Sequence, residues 1–160
     1  MSLKKLNEKG LGLIETLLAL GVAIIIVTSM VSLAIFTLRS SLQNKLLITG
    51  TQLANQEVEL VRAYRDSHSW VDFIDEIDGS VSANCFVSDC YMDNVGVLTI
   101  ESGEQVINAG STEEIRKSFR LVDINGDQSL VRVAVTVSWQ LGSDVKFAHN
   151  YTELSDWRSQ

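Results

Sequence analysis

Proline is absent from all 160 residues of this chain, histidine and cysteine occur twice each, and residues 11–38 hold a single formal charge. Each scarcity removes a class of explanation. With no proline, no ring can kink a long helix from within. His68 and His149 stand far apart without ligand-spaced companions, so neither is a candidate metal ligand or general base. Basic residues are outnumbered, 13 against 20 acidic ones, for a net charge of −7. Counterion release on nucleic acid requires clustered Lys and Arg, and those of residues 115–132 are scattered among acids, so no nucleic-acid partner is expected. An acidic surface suits a soluble secreted head instead. No glycine-rich phosphate loop, nucleophile elbow or paired-carboxylate motif occurs. No catalytic residue, metal or cofactor is expected, and the chain is not read as an enzyme.

What is present begins with the apolar run. It covers 28 residues, 11–38, and its only charge is Glu15. At ~1.5 Å per residue the uncharged part, residues 16–38, covers roughly 34 Å as a helix, against a hydrocarbon core of about 30 Å. Its thirteen Leu, Ile, Val and Phe residues contribute roughly −4 to −8 kcal/mol to insertion, more than the ~3 kcal/mol cost of a carboxylate even at the helix centre. Glu15 lies at the end, so insertion wins. Lys4, Lys5 and Lys9 precede the run and Arg39 follows it. Three positive charges on a ten-residue leader keep the amino terminus in the cytoplasm and direct the remainder outward.

A secretory signal has an apolar region of only about 7–15 residues and is cut on its far side, after a small residue. Here the small residue, Gly10, comes first, in Lys9-Gly10-Leu11-Gly12-Leu13-Ile14-Glu15. An uncleaved signal anchor with a chance glycine explains the topology equally well. Glu15 argues against it, because a lone ionisable residue in a membrane segment is costly and marks a function, although an acid near a helix amino terminus also satisfies the helix dipole.

Gly10, apolar Leu11 and Glu15 five positions into the cut product resemble the processing signature of type IV pilins and type II secretion pseudopilins. The resemblance covers the first forty residues, and the remainder in general plan. It implies that a prepilin peptidase cuts after Gly10 and that the new amine of Leu11 is methylated. It also implies an α+β pilin-like fold, in which a long amino-terminal helix packs its upper half on an antiparallel β-meander. Most family members begin the mature chain with Phe, where this one has Leu11, and many have a Pro where this one has Ser32. The implied partners are other pilin or pseudopilin subunits, the peptidase, the inner-membrane assembly machinery and, before assembly, membrane lipid. The implied location is the inner membrane, crossed once, and then a pilus-like fibre.

Glu15 also has a physical rationale of its own. When apolar helices stack with a stagger, a freed ammonium at Leu11 is drawn into low dielectric, at a cost of several kcal/mol unless a counter-charge meets it. A neighbour's Glu15 can supply that charge and set the stagger. Within one chain the two groups are roughly 6 Å apart along the axis, so self-neutralisation is the competing arrangement.

Beyond Arg39 the helix is expected to continue to about residue 68 with an amphipathic pattern. Leu46, Leu53 and Leu60 recur at sevens beside Leu47, Ala54 and Val61, and Val58 and Tyr64 extend the stripe. Glu59 can pair with Arg62. Gly50 interrupts the segment at a cost of about 1 kcal/mol, and is read as tolerated. Strands are expected at residues 115–124, 130–141 and 145–151, the first two joined by a turn containing Asn125-Gly126 and the last two by Leu141-Gly142-Ser143-Asp144. Val131, Val133, Val135, Val137, Trp139 and Leu141 form the face to bury. The organisation is thus a leader, 1–10, a membrane or fibre-core helix, 11–38, and a head, 39–160, whose meander spans 115–154.

Residues 69–110 show no sustained periodicity and read as loops, with a short strand possible at 95–100. They hold Cys85 and Cys90, outside the membrane by this topology. An oxidising compartment favours a disulfide between them; two free thiols are the alternative, and a metal site lacks a second ligand pair. Asp123-Ile124-Asn125-Gly126-Asp127 alternates oxygen ligands like a calcium loop, but its glycine is misplaced and Ala134 stands where the bidentate acid belongs, so it reads as a turn. Asn150-Tyr151-Thr152 fits a glycosylation sequon that prokaryotes rarely read. The function that the resemblance implies is structural, as a subunit of a type IV pilus or a type II secretion pseudopilus, and the plain head favours a minor one. The second function expected is a membrane-anchored binding module acting through the 67–110 loops.

Overall fold

A computed structural model describes residues 3–80, 83–111 and 113–157, with side chains from residue 12 onward. The chain divides into two compact units, Met1–Gln43 and Asn44–Gln160. Helix α1 (Leu3–Ser67) forms the described part of the first unit and opens the second. It is followed by α2 (Trp70–Ile77), β1 (Cys90–Asp93), β2 (Thr99–Ser102), β3 (Gln105–Ile107), β4 (Ile115–Asp123), β5 (Leu130–Leu141) and β6 (Asp144–Ser155). The fold is α+β, one long apolar amino-terminal helix with a six-stranded antiparallel sheet.

The expected meander is present as β4, β5 and β6, paired in the order of the sequence. Gly142, at φ 65°, makes the turn in which Leu141 pairs with Asp144. Between β4 and β5, Gly126 at φ 82° and Gln128 at φ 59° turn the chain back. The Asp123 carboxylate accepts hydrogen bonds from the amides of Asn125, Gly126 and Gln128, at 3.1, 2.9 and 3.1 Å. Its oxygens therefore serve the turn, as expected.

The segment expected as loops is more ordered than that. Ser69 caps α2, accepting from the Asp72 amide at 3.1 Å while its hydroxyl donates to the Asp72 carboxylate at 2.6 Å. Phe73, Ile74 and Ile77 then bury one face. Eight residues are too few to establish a 3.6-residue period, which is why sequence periodicity missed them. The short strand expected at 95–100 lies instead at Thr99–Ser102, and it pairs with β1, while Val95 and Val97 sit in the exposed connection. Strands of three or four residues carry too few alternations to be read.

The core lies between the inner face of the sheet and the second unit's part of α1, closed at one end by α2. Val131, Val133, Val135, Val137 and Trp139 are buried with Ile115, Phe119 and Leu121 of β4. The helix contributes Leu46, Ala54, Val58, Val61 and Tyr64, whereas Leu47 is exposed and Leu53 and Leu60 are only partly buried. The seven-residue rows drift off the core because an α-helix advances 3.6 residues per turn. The buried line follows 46, 50, 54, 57, 61 and 64 instead.

Candidate functional site

In the first unit every described side chain from residue 12 to residue 39 is exposed. Sixteen of them are large and apolar, from Leu13 to Leu38. At roughly 1.5–3 kcal/mol per buried aliphatic side chain, even partial cover of such a surface is worth on the order of 20 kcal/mol, more than the 5–15 kcal/mol net stability of a typical domain. This helix is long and apolar enough to cross a membrane.

Its few polar groups are arranged for an apolar medium. Thr16 donates to the Leu13 carbonyl, Thr28 to Ile24 and Ile25, Ser29 to Ile25 and Thr37 to Leu33, at 2.7 to 3.0 Å. These hydroxyls are satisfied by their own helix and present no free donor to lipid or to a neighbour. Among the described residues Ser32 makes no such bond, and Glu15 carries the one formal charge of the run. It is exposed and, among the described residues, has no ion-pair partner. Gly10 and Leu11 lie within the backbone span of α1, but side-chain geometry at Leu11 falls outside the described residues. Before any cleavage Leu11 N is a peptide nitrogen, so a counter-charge for Glu15 would come into being only with the cut.

The second unit is locked by groups that sequence reasoning did not single out. Glu57 is fully buried; one carboxylate oxygen accepts from Lys117 Nζ at 2.6 Å and the other from the Met92 amide, also at 2.6 Å. One side chain thus ties α1 to β4 and β1. The signal was available: Glu57 falls on the helix line that otherwise buries, and Lys117 falls between Ile115 and Phe119 on the inward face of β4. Two charges that each interrupt an apolar pattern are candidates to meet.

Gly50, read as merely tolerated, is required by packing. A Cβ placed there would stand 2.5 Å from Cζ3 of Trp139. The indole lies directly on the helix backbone, which needs a residue without a side chain.

Cys85 and Cys90 form a disulfide, with their Cα atoms 5.6 Å apart. The bridge also fixes the edge of the sheet: Cys90 pairs with Phe119, and the Cys85 carbonyl accepts from the Leu121 amide at 2.9 Å. At the far end of α1, Arg65 bonds the Ser155 carbonyl and lies over the rings of Trp70 and Trp157, at 5.6 and 5.5 Å. The expected Glu59–Arg62 pair is present at 2.6 Å.

Of the two histidines, His68 stacks on Tyr64 and its Nδ1 donates to the Tyr64 carbonyl at 2.8 Å at the end of α1, and His149 faces Thr136 across the sheet. They are not brought together. Among the described residues no group of three His, Cys, Asp or Glu side chains is placed to hold a metal ion. Two open hollows, one beside Arg116, Ser138 and Gly142 and one beside Trp70, Asn125 and Asp156, gather no catalytic constellation. Comparisons with protein-family models, curated proteins and solved structures find no match to this chain.

Proposed function

We propose that the chain is the precursor of a pilin-like structural subunit, cut after Gly10 by a prepilin peptidase and assembled through its apolar helix. The fibre is a type IV pilus or a type II secretion pseudopilus, and the subunit is a minor one. What carries this reading is the union of two opposite surfaces in one chain. The first unit exposes sixteen large apolar side chains and one carboxylate; the second has a closed, disulfide-bonded core.

Such a helix has two stable surroundings, lipid before assembly and sister helices after it. The exchange between them is nearly neutral in apolar burial, so the step needs a polar determinant. Removing residues 1–10 takes three lysines and one glutamate from the chain, moves its net charge from −7 to −9, and leaves an ammonium at Leu11. Pairing of that ammonium with Glu15 of the neighbouring subunit gives the register, and the inner-membrane assembly machinery drives the transfer.

Glu15→Ala tests the pairing. Incorporation into the sheared fibre fraction is expected to fall at least tenfold, since 1.4 kcal/mol already corresponds to a factor of ten, with the membrane-held amount unchanged. Undiminished incorporation contradicts the pairing.

A second reading, that the head also binds a ligand or surface, is favoured by Val87, Val95 and Val97, which are 76, 83 and 80% exposed. On that reading Val95→Ser with Val97→Ser lowers attachment of the producing cells but leaves subunit incorporation intact. Loss of both together, or of neither, contradicts it.

A further inference from the structure

The face of the meander turned away from the core carries even-numbered residues of β4 and β5 and odd-numbered residues of β6. Arg116, Ser138 and Phe147 stand there in one row across the three strands, and Gln140 stands beside Val145. Where Gly142 turns β5 into β6, an open hollow of about 490 Å³ is bordered by Arg116, Ser138, Gln140 and Val145, together with Ser111 and Glu114 from the approach to β4.

The groups that this face leaves free are neutral. Its cations already have their acids: Arg116 meets Glu114 at 2.9 Å, Arg120 meets Asp89 at 3.0 Å and Arg132 meets Glu153 at 2.7 Å. The second oxygen of Glu114 accepts from the Gly110 amide at 3.0 Å. Gln140 gives its amide to the Gly142 carbonyl at 3.1 Å, and its side-chain oxygen and the Ser138 hydroxyl have no hydrogen-bond partner among the described residues. An ionic ligand would have to break one of these pairs. A hydroxyl, which both donates and accepts, can bond to such groups as they stand.

Along β6 the hollow opens onto aromatic surface. Val145, on its rim, and then Phe147 and Tyr151 are 54, 55 and 70% exposed. Phe147 lies 6.0 Å from the near-parallel ring of His149, and Arg132 lies over Tyr151 at 5.8 Å. At ~3.3 Å per residue the strip from Val145 to Tyr151 is roughly 20 Å long. Recurring modes of peptide recognition use a strand edge, an apolar groove or an arginine cluster, and cofactor pockets enclose their ligand in mostly apolar walls. This shelf is open, lies on a sheet face and joins neutral polar groups to exposed rings.

We propose that the shelf binds a neutral oligosaccharide. Neighbouring sugar hydroxyls meet the Ser138 hydroxyl and the Gln140 side chain, directly or through water. The C–H faces of the same sugar rings pack on Phe147 and Tyr151, whose aromatic bodies supply apolar contact at an otherwise wet surface. The length of the strip exceeds one sugar ring, so the ligand is a chain of several. The site uses none of the exposed valines at 87, 95 and 97, and it depends neither on membrane insertion nor on cleavage after Gly10.

The test uses the full chain in micelles of a detergent without a sugar headgroup, titrated calorimetrically with maltohexaose, cellohexaose and chitohexaose. Saturable binding of at least one of them is expected, with an affinity that does not change with salt, because no ion pair forms with the ligand. Phe147→Ala and Gln140→Ala, both at exposed positions, are each expected to weaken that binding at least fivefold, and Val95→Ala, exposed in the β1–β2 connection, to leave it unchanged. Thermal midpoints are measured on the same variants, so that weakening in a folded chain is assigned to the shelf. No saturable binding of any of the three sugars, indifference to both shelf substitutions, equal weakening by Val95→Ala, or binding that collapses as salt rises overturns the proposal. None of these outcomes bears on cleavage or assembly.

Discussion

Glu57 and Lys117 are the residues on which the head's internal register depends most directly. Both are buried and their charges are 2.6 Å apart. A buried pair of this kind is costly to break and often dispensable as a whole, because removing one partner strands the other's charge whereas removing both strands nothing. Glu57→Met and Lys117→Met are each therefore expected to lower unfolding free energy by about 3–5 kcal/mol, and the two together to recover most of that loss. Urea unfolding of the four members of this cycle checks it; a double variant as weak as the singles contradicts the pairing. Gly50→Ala gives a second test of close packing. Helix propensity alone predicts a gain of about 1 kcal/mol, but the 2.5 Å approach to the Trp139 ring predicts a net loss of about 1–3 kcal/mol. The sequence could reveal that Gly50 interrupts a helix. It could not reveal that Trp139, 89 positions later, would lie on that helix.

At the scale of elements, legibility followed length. Helix α1 and strands β4, β5 and β6 have enough residues to display their periods; α1 starts at Leu3, eight residues before the expected start at 11, and the other bounds in the structure lie within a few residues of those expected. Strands β1, β2 and β3 and helix α2 are too short for that; the strands are specified by tertiary partners, the disulfide and the free side of β4, and α2 by its local Ser69 cap and the burial of Phe73, Ile74 and Ile77. The alternation in β6 was legible, but which of its faces turns inward depends on β5 and on the helix. Ala148, Thr152 and Leu154 turn in.

The small disulfide loop contributes about 2 kcal/mol in the loop-entropy account. Reduction is expected to lower head stability by that amount and to speed amide exchange first at Phe119 and Leu121, where the loop docks. Uniform exchange along β4 contradicts the docking role.

Turn carboxylates contribute to the acid sensitivity of the head. Asp78 and Asp127 are held below the ordinary range by hydrogen bonds from Ser80 and Ser129, and Glu114 by the Gly110 amide and then Arg116. A lowered folded value means stability that is present above the unfolded value and lost as pH falls through the folded one. Tyr64 is raised, by burial and then by Glu76, so its contribution is complete below its unfolded value and lost as pH rises through the folded one. The thermal midpoint is expected to be level at intermediate pH, to fall below about pH 4 and to fall again above about pH 10.

Across the whole molecule, the chain combines a unit that water cannot solvate well with one that it can. The apolar run, the leader charges and the Gly10–Glu15 spacing were all legible in the sequence, because membrane insertion depends on composition and length rather than on tertiary contacts. The lock at Glu57 and the seat of Trp139 on Gly50 were not, because each exists only once distant segments have met. The central claim is a cut after Gly10, and intact-mass measurement of the protein extracted from its native membrane tests it most directly. The account predicts a mass lacking residues 1–10, with or without a methyl group on Leu11; a chain that retains Met1 or Ser2 contradicts it.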